Sequence, residues 1–437
     1  MSRSRTSGLD VLTVAFATTV AMWAIGYVCR LPGAVVPAWA VLFVLLACPL
    51  AGGFALGRRA GRGVAGGAAA GAISAVLNLL VLGSVLAGDA SDPLRPMAAL
   101  WIPGSILASA VLAGVGAAFA RPRSTLIAGD RWPSGFALVA TVATLLVVLA
   151  GGLVTSLEAG LAVPDWPNSF GSNMFLYPLA RMTGGVYFEH AHRLYGSLVG
   201  LTTIVLAAVI FRTDDRRWLR TLAVVAIVMV VGQGVMGGLR VTGRLTLSTD
   251  AAELTPNLAL AIVHGVFGQI FLATVSLIWA FTTRTWRESA SRVHPAAGTE
   301  RGLAWSLLVL MIAQITFGAL YRHLATPETP LPWPAHAHFT LAAIVTVLAA
   351  MVGLRLAAKH AEIMPLRRLG VVLLIALGGQ LLLGLAALIA VMLKRDAASP
   401  GLGEVLLATA HQANGAFMLV VCAQIVAWTH RFLRTGG

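Results

Sequence analysis

The chain has 437 residues, 58% of them hydrophobic and only 11% charged, with a mean hydropathy of +0.85. Soluble domains carry about 25% charged residues, so an ordinary soluble enzyme and a disordered protein are both excluded, and an integral membrane protein is indicated. The net charge of +14, from 31 Lys+Arg against 17 Asp+Glu, would point to nucleic acid in a soluble protein. Here the placement of the basic residues explains it without nucleic acid.

A bilayer-crossing helix needs about 20 mostly apolar residues. That criterion predicts twelve spans, roughly 10–29, 36–57, 63–87, 98–120, 134–156, 189–211, 219–239, 257–282, 303–321, 335–356, 369–392 and 402–429. The fold class is therefore all-α and polytopic. An N-terminus inside places 22 of the 31 basic residues in cytoplasmic segments, as the positive-inside rule requires. Both termini are expected to be cytoplasmic, in a cell (inner or plasma) membrane. No cleavable signal peptide is evident. Cys29, Cys48 and Cys422 lie in or beside apolar runs, with no CxxC and no metal-ligand spacing.

Residues 1–130 hold four spans and no histidine. Gly63, Gly67 and Gly71 form a stripe that lets helix backbones approach closely, so this extension is expected to be a packing module, dispensable for chemistry. The later eight spans hold all ten histidines and divide into two four-helix halves, 131–290 and 291–437. His192 and His338 lie 146 residues apart and His264 and His411 lie 147 apart, each at the same place in its half. Gln233-x3-Gly237 recurs as Gln380-x3-Gly384, and again as Gln314-x3-Gly318. Four helices per half make the repeat parallel.

Ionisable groups inside a membrane are costly and mark function. One such histidine is as readily a packing residue, but four at matched depth are not. Two histidines from facing helices suit the axial positions of an iron porphyrin, whereas zinc usually takes three or four ligands. Two bis-imidazole haem sites fit best. Gly196, Gly268, Ala342 and Gly415 follow the four histidines by one turn, where a flat macrocycle needs clearance, although simple helix packing explains small residues equally well. Within each HAH pair only one ring can face the bundle. Depth selects His192 and His338 and leaves His190 and His336 interfacial. His294, His323, His360 and His430 fall in loops or span ends, as solvated polar residues.

The halves differ in one respect. The first reads Glu189-His190-Ala191-His192-Arg193 and the second Ala335-His336-Ala337-His338-Phe339. A carboxylate one turn above the ligand suits a reacting site, and the competing explanation is an i,i+4 Glu189–Arg193 ion pair. The loop from Gly152 to Pro167 ends in Pro164-Asp165-Trp166-Pro167, a stiffened turn that is either a rigid interfacial loop or a lid.

This loop, Glu189-x-x-His192-Arg193, His264, His338 and His411, in that order over about 134–429, closely resembles the haem A synthase family. The resemblance implies an eight-helix body and oxidation of a ring methyl of haem O to the formyl group of haem A for the terminal oxidase. It further implies haem b as cofactor on His338 and His411, the substrate haem on His192 and His264 with Arg193 beside it, and Glu189 as catalytic carboxylate. Haem O is then substrate and haem A product, with membrane lipid around the protein. Haem O synthase and an electron-transfer partner are candidate partners, and self-association stays open. The sequence departs from many bacterial relatives in lacking a cysteine pair in the first outer loop, where Val163 and Asn168-Ser169 stand. The extension at 1–130 is outside the resemblance. Two other functions fit the four histidines: a diheme b-type cytochrome, and a haem-binding assembly factor without catalysis.

Overall fold

In the computed structural model, residues 8–86, 96–242, 257–326, 328–394 and 400–436 are described. They form thirteen α-helices: α1 (Leu9–Val28), α2 (Ala38–Ala60), α3 (Val64–Leu86), α4 (Ala98–Phe119), α5 (Trp132–Ser156), α6 (Gly184–Thr213), α7 (Arg217–Thr242), α8 (Leu258–Thr282), α9 (Arg284–Glu288), α10 (Ala297–Leu324), α11 (Trp333–Lys359), α12 (Met364–Lys394) and α13 (Leu402–Phe432). Every one except α9 is long and apolar enough to cross a membrane, so the chain is an all-α polytopic membrane protein. The strands are two short pairs, β1 (Asn168–Ser169) with β2 (Ser172–Asn173) and β3 (Arg292–Val293) with β4 (Leu433–Arg434).

Several helices begin or end beyond their expected bounds, because apolarity locates the middle of a span while its polar ends continue the helix. Thus α6 starts at Gly184, placing Glu189 well inside it, and α10 starts at Ala297, taking in Glu300. Local chemistry sets other ends. Gly61, at φ +67°, stops α2, as the left-handed conformation favours glycine. Asn257 accepts a hydrogen bond from the Leu260 N–H and caps α8.

The helices fall into two compact units, one of residues 1–147 and 162–231, the other of 148–161 and 232–437. In the first, α1 to α4 pack together at glycines. A Cβ on Gly53 or Gly67 would overlap the Ala113 carbonyl, and one on Gly71 the Ser109 carbonyl, whereas Gly63 meets nothing within 4 Å. Gly67 and Gly71 of α3 and Gly53 of α2 thus each make a close approach to α4, and Gly63 makes none. Polar contacts fix the register: Arg62 Nε to Asp10 at 2.5 Å, Thr19 to Ser74 at 2.9 Å, and Trp23 Nε1 to Asn78 at 2.8 Å. The extension also packs on α6. Trp23 and Tyr195 meet edge to face at 5.1 Å, Tyr27 lies 5.5 Å from Tyr195, and the Tyr195 hydroxyl donates to the Trp23 carbonyl.

In the second unit α10, α11, α12 and α13 form a closed ring, with α8 against α10 and α13. Its core includes Leu307, Met311, Val352, Leu373, Leu419 and Ile425. At one end Glu300, 3% exposed, is bonded by Arg355 at 2.6 Å and lies 3.4 Å from His360. His360 is wholly buried, not solvated as expected. Its partner stands sixty residues away in sequence, so only the assembled fold brings in the charge that accommodates it.

Candidate functional site: two histidine-bearing regions

The first region is α6 with the loop that precedes it. Glu189 is 4% exposed. Its Oε1 accepts from Arg193 at 2.7 Å and its Oε2 from the Val163 N–H at 2.8 Å. Arg193 also donates to the carbonyls of Val163 (2.7 Å), Asp165 (2.6 Å) and Asn168 (3.1 Å). A guanidinium offers five donors in a fixed fork, and here one fork fastens residues 163–168 to the helix. The i,i+4 pair expected from the sequence does form, and it does more than pair.

The loop is folded internally as well. Asp165 accepts from the N–H groups of Phe170 (2.7 Å) and Gly171 (2.8 Å), closing the turn between β1 and β2 where Gly171 sits at φ +76°. His190 is 0% exposed, bonded to Ser169 Oγ at 3.1 Å and 5.4 Å from the Tyr177 ring. This corrects its expected interfacial position: helical geometry does turn it away from His192, but the loop folds over it. Burial raises the Tyr177 hydroxyl above its ordinary value, with Arg181 pulling the other way. His192 is partly buried, and a Cβ at Gly196, one turn on, would meet nothing within 4 Å. Clearance exists there as expected.

The second region lies inside the four-helix ring. His338 of α11 and His411 of α13 face one another with ring centroids 6.4 Å apart and planes at 79°. Two metal–imidazole bonds of about 2 Å each, plus the distance from each ring nitrogen to its centroid, sum to roughly that spacing. His338 Nδ1 lies 3.0 Å from the backbone carbonyl of Gln314. A donor bond there fixes the tautomer and leaves Nε2 as the ligating atom. Such approach to a helix backbone needs a gap, and Gly318 supplies it: a Cβ there would lie 2.9 Å from His338 Cε1. Gly384 does the same for His411, at 2.8 Å.

The recurring Gln-x3-Gly pattern is thus a socket for a histidine of the following helix. Gln314 Nε2 also bonds the His338 carbonyl at 3.1 Å, Gln380 Nε2 lies 3.4 Å from His411 Nε2, and Asn414 orients Gln380 at 2.8 Å. Gln233 contacts the His264 carbonyl at 3.3 Å, with Gly237 facing its ring. Gly415 and Gly268 receive these glutamines, 3.3 Å and 3.6 Å from the position of a Cβ, so their small size serves socket packing rather than open clearance. The repeat marked the glutamines in the sequence, but nothing there showed that they touch the histidines. Asn414 carried no signal at all.

The donor set fits a haem. Two facing imidazoles lie at the right separation, each seated where a side chain would clash, and the buried His411 Nδ1 and Gln314 Oε1 have no hydrogen-bond partner. Among the described residues no group of three or more His, Cys, Asp or Glu could hold a bare metal ion. Glu189, His192 and Arg193 belong to the first unit, and His264, His338 and His411 to the second.

Comparison with known proteins bears on these two regions. Residues 134–337 match the family COX15-CtaA, described as cytochrome oxidase assembly protein. A heme A synthase of Lysinibacillus sphaericus is 32% identical over 114 residues, 26% of this chain and 36% of the relative. A heme A synthase of Exiguobacterium sibiricum is 24% identical over 207 residues, 47% of this chain and 64% of the relative. A protoheme IX farnesyltransferase of Haloarcula marismortui is 26% identical over 159 residues, 36% of this chain and 31% of the relative. The chain spans less than two thirds of the length of each.

Proposed function

We propose, from the match of residues 134–337 to the COX15-CtaA family, that the chain acts in haem A biosynthesis, as an oxidoreductase converting a ring methyl of haem O into the formyl group of haem A for terminal oxidase assembly. The observation that carries the proposal is the facing, socketed pair His338 and His411. A duplicated bundle with such a pair in one half and a carboxylate beside the equivalent histidine of the other has one site for a resident cofactor and one for a reacting molecule.

In this proposal His338 and His411 hold haem b, which supplies one-electron redox capacity. His192 and His264 hold the substrate haem through its iron. Conversion of methyl to formyl is a four-electron oxidation: with water supplying the oxygen, CH3 becomes CHO with loss of four electrons and four protons, and positive charge develops at the methyl carbon. Glu189 stands one helical turn from His192, and a carboxylate at low dielectric stabilises such charge. Both Glu189 oxygens already accept hydrogen bonds, from Arg193 and Val163. The carboxylate is thereby held in place beside the helix, where the charge it would stabilise develops. Arg193 is a positioning residue, since the same fork that orients Glu189 closes the loop over the helix and excludes water there. The substrate comes from a haem farnesyltransferase, and an electron-transfer partner in the same membrane takes the electrons. The protein lies in the cell membrane with both termini cytoplasmic.

Haem extraction from the full chain, produced with and without a supply of haem O, tests the proposal. Haem b together with haem O or A supports the synthase. Haem b alone, even with haem O supplied, supports a diheme cytochrome and overturns it.

A further inference from the structure

Two of the three sockets carry an arginine one turn beyond the glycine. On α7 the pattern runs Gln233-x3-Gly237-x2-Arg240, and on α10 Gln314-x3-Gly318-x3-Arg322. At 3.6 residues per turn and 1.5 Å per residue, each arginine shares its socket's face and sits about 5 Å further along the helix. The third socket, on α12, has Ala387 and Leu388 at the matching places. Each proposed haem therefore has one socket arginine: Arg240 on the helix that seats His264, and Arg322 on the helix that seats His338.

These cations stand on the side where the sequence places few. Both stand in the last turn of their helices, just past the apolar spans, where a long guanidinium side chain can reach a charged ligand at the membrane edge. Arg322 donates to the Thr155 carbonyl at 3.1 Å, but the carboxylate it meets, Glu158, is 3.8 Å away and two-thirds exposed, a surface pair of little worth. The Arg240 guanidinium lies against Gly160, where a Cβ would overlap it. The segment 155–160 thus lies on two guanidinium groups and brings one carboxylate to them.

A porphyrin of the haem type carries two carboxylates on a single edge. With its iron on the socketed histidine, that edge lies to one side of the ligand axis, and the face one turn beyond the socket is where it meets cationic charge. We infer, on the haem-ligation proposal above, that Arg322 and Arg240 are the carboxylate anchors of the two haem sites, Arg322 for the cofactor held by His338 and His411 and Arg240 for the substrate held through His264. Each sets the rotation of its macrocycle about the iron axis, and at the reacting site that rotation decides which ring methyl is presented.

The test compares a ligand that has the carboxylates with one that lacks them. Full-length protein made without haem is titrated in detergent with protohaem IX and with its dimethyl ester, following the low-spin haem band. A hydrogen-bonded charge contributes enough for about a tenfold preference for the free acid in the wild type. Arg322→Gln should bring the two ligands to within about threefold by weakening the acid alone, and Arg322→Lys should keep part of the preference. Arg240→Gln should lower the haem O co-purified relative to haem b. Equal affinity for acid and ester in the wild type overturns the inference without requiring any variant to fold. So does an undiminished preference in Arg322→Gln, or a loss of bound phospholipid in place of the acid preference, which would make the site one for lipid headgroups. A wild type giving no low-spin band with either ligand would instead defeat the haem-ligation proposal itself.

Discussion

The histidine-bearing starts of α6 and α11 carry the same His-Ala-His pattern and are held in different ways. Around His192 the neighbours are charged: Glu189 and Arg193 spend their hydrogen bonds on a loop. Around His338 there is no charge within the HAH segment, and the ring is seated on the bare backbone of α10 at Gly318. A ligand fixed by close helix packing moves only if helices move, because packed interiors deform little. A region closed by a loop can open when a few hydrogen bonds to that loop are broken. The two segments share a histidine and differ in what surrounds it, which is the difference the proposed function requires between a site that retains its haem and one that releases it.

The largest effect should come from the packed region. If His338 and His411 are the two axial ligands proposed for haem b, His338→Ala or His411→Ala removes one of them, and the low-spin haem b spectrum should vanish in either variant. An unchanged low-spin spectrum in both would break the comparison at its root, since the resident haem would then lie elsewhere.

Next is the charged region. Glu189→Gln keeps the shape and an oxygen for the Val163 N–H but removes the charge facing Arg193. Loss of one charge-stabilising group costs about a hundredfold or more in rate. The variant should keep its haem b spectrum and still bind haem O, yet yield little haem A, while Glu189→Asp retains some turnover. The ratio of haem O, hydroxylated intermediate and haem A after extraction is the measurement. A wild-type yield of haem A would leave Glu189 as an anchor for the loop and nothing more.

Much of this was legible in the sequence, and the remainder failed for reasons of distance. Twelve spans and the i,i+4 partner of Glu189 are local or periodic signals, and both are present. Contacts between residues far apart in the chain left no such trace. Val163 N–H reaches Glu189 across 26 residues, and His360 finds Glu300 across 60, so a histidine at a span end looked solvated and is buried. His190 shows the limit of helical periodicity, which gave its direction correctly but could not supply the loop that covers it. The glutamines were visible as a repeat, yet their task depends on which helix follows alongside.

The extension offers a third way to sharpen the contrast. By histidine content it is dispensable, yet Trp23 and Tyr27 pack on Tyr195 of α6, three residues beyond His192. Lipid replaces lost apolar contact at little cost, so what deletion removes is specific packing and the hydrogen bond to Trp23, each worth about 1 kcal/mol or less. A chain starting near Gly129 should keep the haem b spectrum, which belongs to the other unit, and lose part of its haem A yield. Tyr195→Phe should reproduce a fraction of that loss. Equal damage to haem b and to haem A yield would show that the extension supports the whole protein rather than the charged region.

The smallest effects separate the sockets from one another. A glycine inside a helix costs about 0.5–1 kcal/mol relative to alanine, so Gly→Ala is stabilising wherever the added methyl has room. At Gly237 that methyl would lie 3.4 Å from His264 Cε1, ordinary contact, whereas at Gly384 it would lie 2.8 Å from His411 Cε1 and 3.2 Å from Nδ1. The His411 ring faces His338 and is bordered by Gln380, so it can yield only toward the space the haem needs. Gly237→Ala should therefore leave the melting temperature unchanged or slightly raised, with haem b intact. Gly384→Ala should lower the fraction of haem b in the low-spin form, even where the haem-free chain melts normally. The two variants make the same chemical change on equivalent helices, so any difference between them reports the fit of the ring alone. If both behave alike, the glycines serve helix packing in general, and the tighter hold on the second pair of histidines is not what distinguishes the two halves.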